Sequence, residues 1–310
     1  MSLESLISPL YEMVLLSTPI IFATIGEIYA ERSGILNLGI EGIMSLGAAI
    51  AFVVTYVTGN IALGILAALI AGGLLALIHA FISITFNANQ VISGLALAML
   101  GLGLSSFIGE NYVGLRLELL LQPIKIPLLS SIPLIGPVFF NQDILVYTAY
   151  ILTVVLWFLL YKTKWGLYIR AVGENPYAAD SMGINIYAVR YLCTVFGGIL
   201  AGLGGAYITV AYMHTWREGI TMGKGWVAVA LVIFAFWDPL KGFLASLFFG
   251  GIEVAAIELY SLYGLNTHLT NMIPYAAIIV VMIFSASEIM KKRIGAPASL
   301  GKPFIREKRR

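Results

Sequence analysis

Long apolar runs succeed one another along almost the whole chain, with little that is polar between them. A run of roughly 20 apolar residues is what a helix needs to cross the hydrocarbon core of a bilayer. Such runs lie at about Leu10–Tyr29, Leu38–Val57, Ile61–Ile82, Val91–Ile108, Ile144–Tyr161, Tyr191–Met213, Trp226–Phe236, Gly242–Tyr260 and Asn271–Ser287. They predict an all-α integral membrane protein, a polytopic helical bundle of about nine spans (eight to ten). The run at 226–236 is short, so a tilted or broken span is expected there. Charged residues make up 11% of the chain, against roughly a quarter in soluble domains, which leaves no room for a separate soluble unit. Residues 1–290 therefore read as one transmembrane domain, and 291–310 as a basic tail with eight basic residues and one acid. No Lys or Arg precedes Glu31, so the basic start of a cleaved signal is missing and the first run is expected to stay as an anchor.

The polar punctuation carries most of the remaining information. Tyr161–Arg190 holds Lys162, Lys164, Arg170, Glu174, Asp180 and Arg190 between two nearly uncharged runs. Within it Asn175-Pro176 is a helix start, because Asn can cap the free N–H groups and Pro has no N–H to leave unpaired. A short helix over Tyr177–Met182 is predicted, stopped by Gly183 in a left-handed conformation. Earlier, Glu31-Arg32-Ser33-Gly34 breaks the apolar pattern, and Asn37 stands where it can cap the run that follows. Glu41 would lie one turn into that run, where the helix dipole favours an anion. Pro123, Pro127, Pro133 and Pro137 make 111–142 a long connection in extended and turn conformations. Gly198 with Gly202, and Gly197 with Ala201 and Gly205, are ladders of small residues that let helices approach closely.

Orientation follows from the bias of basic residues toward cytoplasmic loops. With the tail inside, 14 of the 18 Lys and Arg residues fall on the inner side, and only Arg116, Lys125, Arg217 and Lys224 fall outside. The 162–190 segment and the C-terminus are then cytoplasmic and the N-terminus external. The tail reads as a topological anchor attracted to anionic lipid.

Other classes find little support. Cys193 is the single cysteine and lies in an apolar run, where it reads as a small buried hydrophobe. His79, His214 and His268 are far apart, with no HExxH or paired-ligand spacing, and no metal or other cofactor is expected in this chain. No GxxxxGK[ST] loop is present, so any ATP must be hydrolysed by another chain. A net charge of +2 gives no reason to expect a nucleic-acid partner.

Two signatures stand in order: ERSGILNLGIEGIMSLGA at 31–48 and GLYIRAVGENPYAADSMGI at 166–184, with ANQVISGLALAML at 88–100 between them. Together they resemble the permease subunits of ABC importers, in the branched-chain amino acid/ribose-type permease family, and within it the nucleoside and simple-sugar branch. The resemblance runs over roughly residues 10–290. It implies a type II-like importer permease of two inverted halves, in the plasma membrane, with the substrate route at the centre of a permease dimer. A heterodimer with a second, homologous permease is expected over a homodimer. It also implies an ABC ATP-binding subunit holding ATP and Mg²⁺, and an extracytoplasmic substrate-binding lipoprotein. Gly173, Glu174, Asn175, Ala178, Ala179, Gly183 and Ile184 match the family's segment that docks on the ATPase. Tyr177 departs from the wider pattern, which has Glu before the paired alanines.

Candidates for the translocation pathway are Asn37, Glu41, Asn89 and Gln90, near breaks between runs, and Glu253, an acid inside one. Glu258 lies near a run's end and is expected to face water. The competing class is an ion-gradient-driven secondary transporter of small polar solutes, for which Glu41 and Glu253 would be the ion-binding pair. An intramembrane enzyme finds no nucleophile motif or ligand pair to support it.

Overall fold

The computed structural model describes residues 3–264, 266–285 and 295–305. The end of the ninth expected run, Glu288 to Ile294, and the basic residues Arg306, Lys308, Arg309 and Arg310 lie outside them.

Several helices in this chain begin just after a polar residue that caps them. The helices are α1 (Leu3–Arg32), α2 (Ile40–Thr58), α3 (Ile61–Ala80), α4 (Gln90–Gly109), α5 (Ile135–Phe139), α6 (Ile144–Lys162), α7 (Lys164–Glu174), α8 (Pro176–Ser181), α9 (Ile186–Tyr207), α10 (Lys224–Phe234), α11 (Pro239–Tyr263) and α12 (Thr267–Ser285). Asn60, Asn89, Asp143, Thr163, Asn175, Asn185 and Asp238 accept hydrogen bonds from the first free amides of α3, α4, α6, α7, α8, α9 and α11. Each satisfies donors that lipid could not. Asn37 does not act this way: Gly39 occupies the N-cap of α2 without a side-chain bond. The Asn37 side chain instead accepts the Gly39 amide in a local turn, and its backbone N–H donates to Glu27.

Among the described residues, seven helices are long and apolar enough to cross a membrane. The expected nine is not reached on that measure, because α10 has only 11 residues and α12 is described only in part. The centre of the bundle is α9, packed on α1, α2 and α3. Its glycine ladders are divided among these partners. A methyl on Gly202 would lie 2.5 Å from the Ala68 carbonyl oxygen of α3, and one on Gly26 of α1 would lie 2.8 Å from the Gly197 carbonyl. Leu63, Leu66, Ile70 and Leu74 form an exposed apolar row on α3, the surface a lipid-facing helix presents. Both α3 and α9 end in a turn of π-helix, Phe81–Thr85 and Ile208–Tyr212.

The 111–142 connection is largely irregular, as its prolines suggest, with α5 and a short antiparallel pairing of β1 (Ile124–Lys125) and β2 (Asn141–Gln142). The stretch 214–223 before α10 is partly folded into the bundle, with Trp216, Ile220 and Thr221 buried. The charged segment holds two helices where the sequence predicts one. Its first part is α7, with Gly166, Ile169, Val172 and Gly173 buried.

Candidate functional site

At 1.5 Å per residue, the 11 residues of α10 extend about 16 Å, roughly half of a 30 Å hydrocarbon core. Its C-terminal end is tied to the end of α1. Trp237 Nε1 donates to Glu31 at 2.6 Å, and Arg32 Nε donates to the Trp237 carbonyl at 3.0 Å. Phe236 and Trp237 both take left-handed φ before Asp238 and Pro239 start α11. The other end of α10 therefore lies within the bundle, where four unpaired amides and the positive end of the helix dipole call for an anion.

Glu41 supplies it. Its Oε1 accepts the Thr221 hydroxyl at 2.6 Å and the Gly223 amide at 2.9 Å, and its Oε2 accepts the Gly225 amide at 2.7 Å. Glu41 is 4% exposed and lies in the first turn of α2, so one carboxylate serves two helix starts. The left-handed Gly223 permits the approach (φ 76°). Lys224, between Gly223 and Gly225, turns the other way and pairs with Glu253 of α11 at 2.5 Å. Lys224 is buried and so does not belong to the aqueous outer loop in which its position in the sequence put it.

The Lys224–Glu253 pair forms the polar end of a cavity of about 160 Å³ between α1, the π-turn after α9, α11 and α12. Leu16 and Pro19 line its apolar side, and Tyr212 and Tyr275 flank the pair. The π-turn is what places Tyr212 there, since the widened turn rotates the residues after it. Tyr275 also donates to the Met222 carbonyl, closing the loop over α10. An apolar chamber with a few convergent polar groups suits an uncharged polar ligand: Lys224 offers donors and Glu253 acceptors side by side.

Glu41 and Glu253 are thus brought to one place, on either side of the α10 start. The other three pathway candidates lie elsewhere. Gln90 Oε1 accepts the Leu36 amide at 2.8 Å, and Asn37 is bound to Glu27, so both hold the 33–39 segment. Asn89 caps α4 with an exposed side chain. Glu258 is exposed. The sequence reading missed Lys224, Thr221, Tyr212 and Tyr275. A lone Lys between two glycines at the head of a half-length apolar run was the available signal.

At the segment 173–184, the Asn175 side chain accepts the Ala178 amide at 3.0 Å and Pro176 is the first residue of α8. The helix is one residue earlier than expected and ends in a left-handed Gly183 (φ 82°), whose amide reaches the Asp180 carbonyl while that of Ile184 reaches Ala179. Glu174, Asn175, Ala178 and Gly183 are exposed, but Gly173 and Ala179 are buried. Of the paired alanines only Ala178 faces outward. Met182, 82% exposed, and Tyr177 add an apolar surface. A notch of about 320 Å³ beside α8 is lined by Asp180, Gly183, Ile184, Asn185, Ile186 and Tyr187.

Comparison with known proteins gives one family, described as "Branched-chain amino acid transport system / permease component", which matches residues 10–282. The chain is 36% identical to the "Putative glucose ABC transporter permease protein TsgC13" of Haloferax volcanii, over 94% of this chain and 95% of that one. It is also 36% identical to the "Guanosine ABC transporter permease protein NupQ" of Bacillus subtilis, with the same coverage. That bacterium's "Guanosine ABC transporter permease protein NupP" is 23% identical over 87% of this chain and 78% of its own. The solved structure "PsaBC from Streptococcus pneumoniae in complex with Fab" shares the fold, with a TM-score of 0.51 at 12% identity, over 91% of this chain and 92% of that one.

Proposed function

Because this chain belongs to the family of branched-chain amino acid transport permeases, and is the plasma-membrane permease subunit of an ABC importer, we propose that its cargo is a nucleoside or a simple sugar passing the Lys224–Glu253 cavity. The observation that carries this reading is the interrupted α10, held within the bundle by Glu41, with a charge-balanced polar pair at its first residue. Discontinuous helices of this kind build binding sites in many transporters. A neutral pair of donor and acceptor suits hydroxyl and lactam groups without trapping an ion. The relatives named as glucose and guanosine permeases support the same class.

ATP and Mg²⁺ belong to a separate ATP-binding subunit that docks on the exposed residues of α8. A substrate-binding lipoprotein delivers the cargo on the other face. The N-terminus lies outside and α7–α8 inside. With Lys224 buried, the outer connections keep only Arg116, Lys125 and Arg217 as exposed basic residues, which sharpens the charge bias. A heterodimer is favoured by the two distinct guanosine permeases of Bacillus subtilis. A gradient-driven mechanism is disfavoured because Glu41 is held by three donors at the α10 start and the charge of Glu253 is balanced by Lys224.

The test is uptake by the complex reconstituted in vesicles, against a panel of nucleosides, pentoses and hexoses. ATP-dependent uptake of at least one is expected. Uptake by this chain without a nucleotide-hydrolysing partner would overturn the reading.

A further inference from the structure

Residues 297–304 do not trail away from the bundle. Pro297, Ser299 and Phe304 are buried, and the segment is bonded to three separate parts of the chain. Its Ser299 amide donates to the Gly173 carbonyl at the end of α7 at 2.9 Å, and the Ser299 hydroxyl donates to the same carbonyl at 2.7 Å. The Gly301 amide donates to the Gly34 carbonyl, in the turn after α1, at 3.2 Å. Phe304 inserts between Tyr177 of α8 and Tyr187 of α9, with ring centroids 5.1 and 5.8 Å away.

Arg190 joins these contacts. It is 2% exposed, and its guanidinium donates to the Ser33 carbonyl at 3.2 Å, the Ser299 hydroxyl at 3.3 Å and the Lys302 carbonyl at 3.4 Å. One rigid fork thus spans the base of α9, the α1–α2 turn and the C-terminal segment. The fit is close: a methyl on Gly34 would lie 2.7 Å from Ser299 Oγ and 2.9 Å from the Arg190 guanidinium. A buried guanidinium whose acceptors belong to two segments ties both of them to α9, because each lost bond would leave a desolvated donor.

We propose that residues 297–304 form a strap, with Arg190 as its positioning residue, that locks α8 to the Ser33–Gly34 turn. A displacement of α8 is thereby passed to the segment that leads directly into Glu41 and the α10 start. The tail is in this way part of the coupling apparatus as well as an anchor. The proposal rests on the reading of α8 as the docking helix for the ATPase.

The experiment uses the complete reconstituted importer with deletion of residues 296–310, Phe304→Ala, and Phe304→Tyr as the conservative control. ATP hydrolysis is expected to stay near the parent rate, while substrate moved per ATP falls about tenfold in the deletion and in F304A, the size of losing a buried bonded contact. F304Y is expected to restore the ratio. Amide exchange over residues 176–187 should quicken in the same two variants. A parental transport ratio and parental exchange in both would overturn the strap. If the deletion fails to assemble, Phe304→Ala and Ser299→Ala decide by the same two readouts. Ala178→Asp, on the exposed face of α8, separates the two ideas. Uncoupling by A178D without effect of the strap variants removes the strap alone, and no effect of A178D removes both.

Discussion

Glu41 and Gly225 are 184 residues apart in the chain, yet the carboxylate of one accepts the amide of the other at 2.7 Å. That bond places the start of α10 at the start of α2 and gives an interrupted helix a partner for its free amides. Whatever moves the turn after α1 also moves Glu41, and Glu41 holds the helix that carries Lys224. The cavity and the segment under α8 are therefore linked through seven residues of chain, Gly34–Ile40, and one carboxylate.

Replacing Glu41 by Gln keeps the shape but removes the charge and puts an NH₂ against donors. A loss of about 1–3 kcal/mol is expected from the unmatched buried amides. Thermal unfolding of the purified protein in detergent should fall accordingly, and uptake with it. Unchanged unfolding would mean that the α10 start is held by something else.

Lys224→Met should be more damaging than its double mutant with Glu253→Gln. The single change leaves a partly buried carboxylate without its cation, a cost that removing both charges relieves for the most part. Stability is thus expected to recover in the double mutant while substrate uptake does not. Recovery of both would assign the pair to structure only.

Ala178→Asp and Ala179→Asp should part company. Ala178 is exposed, so its Asp leaves folding intact and lowers transport per ATP hydrolysed. Ala179 is 4% exposed, so its Asp buries a charge and lowers the amount of folded protein in the membrane. Expression level measured beside uptake distinguishes them.

Gly47→Val is expected to cost about 1–3 kcal/mol by overpacking, because a Cβ there lies 2.5 Å from the Gly202 carbonyl oxygen. Gly103→Ala, with nothing within 4 Å of the added carbon, should be neutral for stability. Denaturation midpoints in detergent check the contrast.

His214 lies in the connection between the π-turn after α9 and α10, and burial holds its pKa below the ordinary histidine range. The folded chain then takes up the proton later than the unfolded chain, so stability declines as pH falls from about 7 toward 5. His214→Gln should flatten that slope in thermal unfolding at the two pH values. Equal slopes in both proteins would refute it.

The start of α8 was legible because its determinants are local: Asn175, Pro176 and Gly183 act within one turn of their own positions. The glycine ladders of α9 were visible too, though which helix each would touch was not. The pathway candidates show where local reasoning stops. Asn37 and Asn89 have the same residue type and a similar setting, but the Asn89 side chain caps α4 while that of Asn37 accepts the Gly39 amide in a local turn before α2. Lys224 looked like an aqueous loop residue because hydropathy cannot see that Glu253 waits in another helix.

Apolar runs, helix caps and charge bias depend on near neighbours and on the solvent, and from these the sequence by itself determined a membrane bundle, its breaks and the short helix at 176–181. Only the tertiary structure decided that Glu41 serves the start of α10, that Lys224 meets Glu253 beside a cavity, and that Arg190 gathers the tail. Each of those is a meeting of buried polar groups, where burial demands a partner but chain separation leaves its identity open until the helices pack.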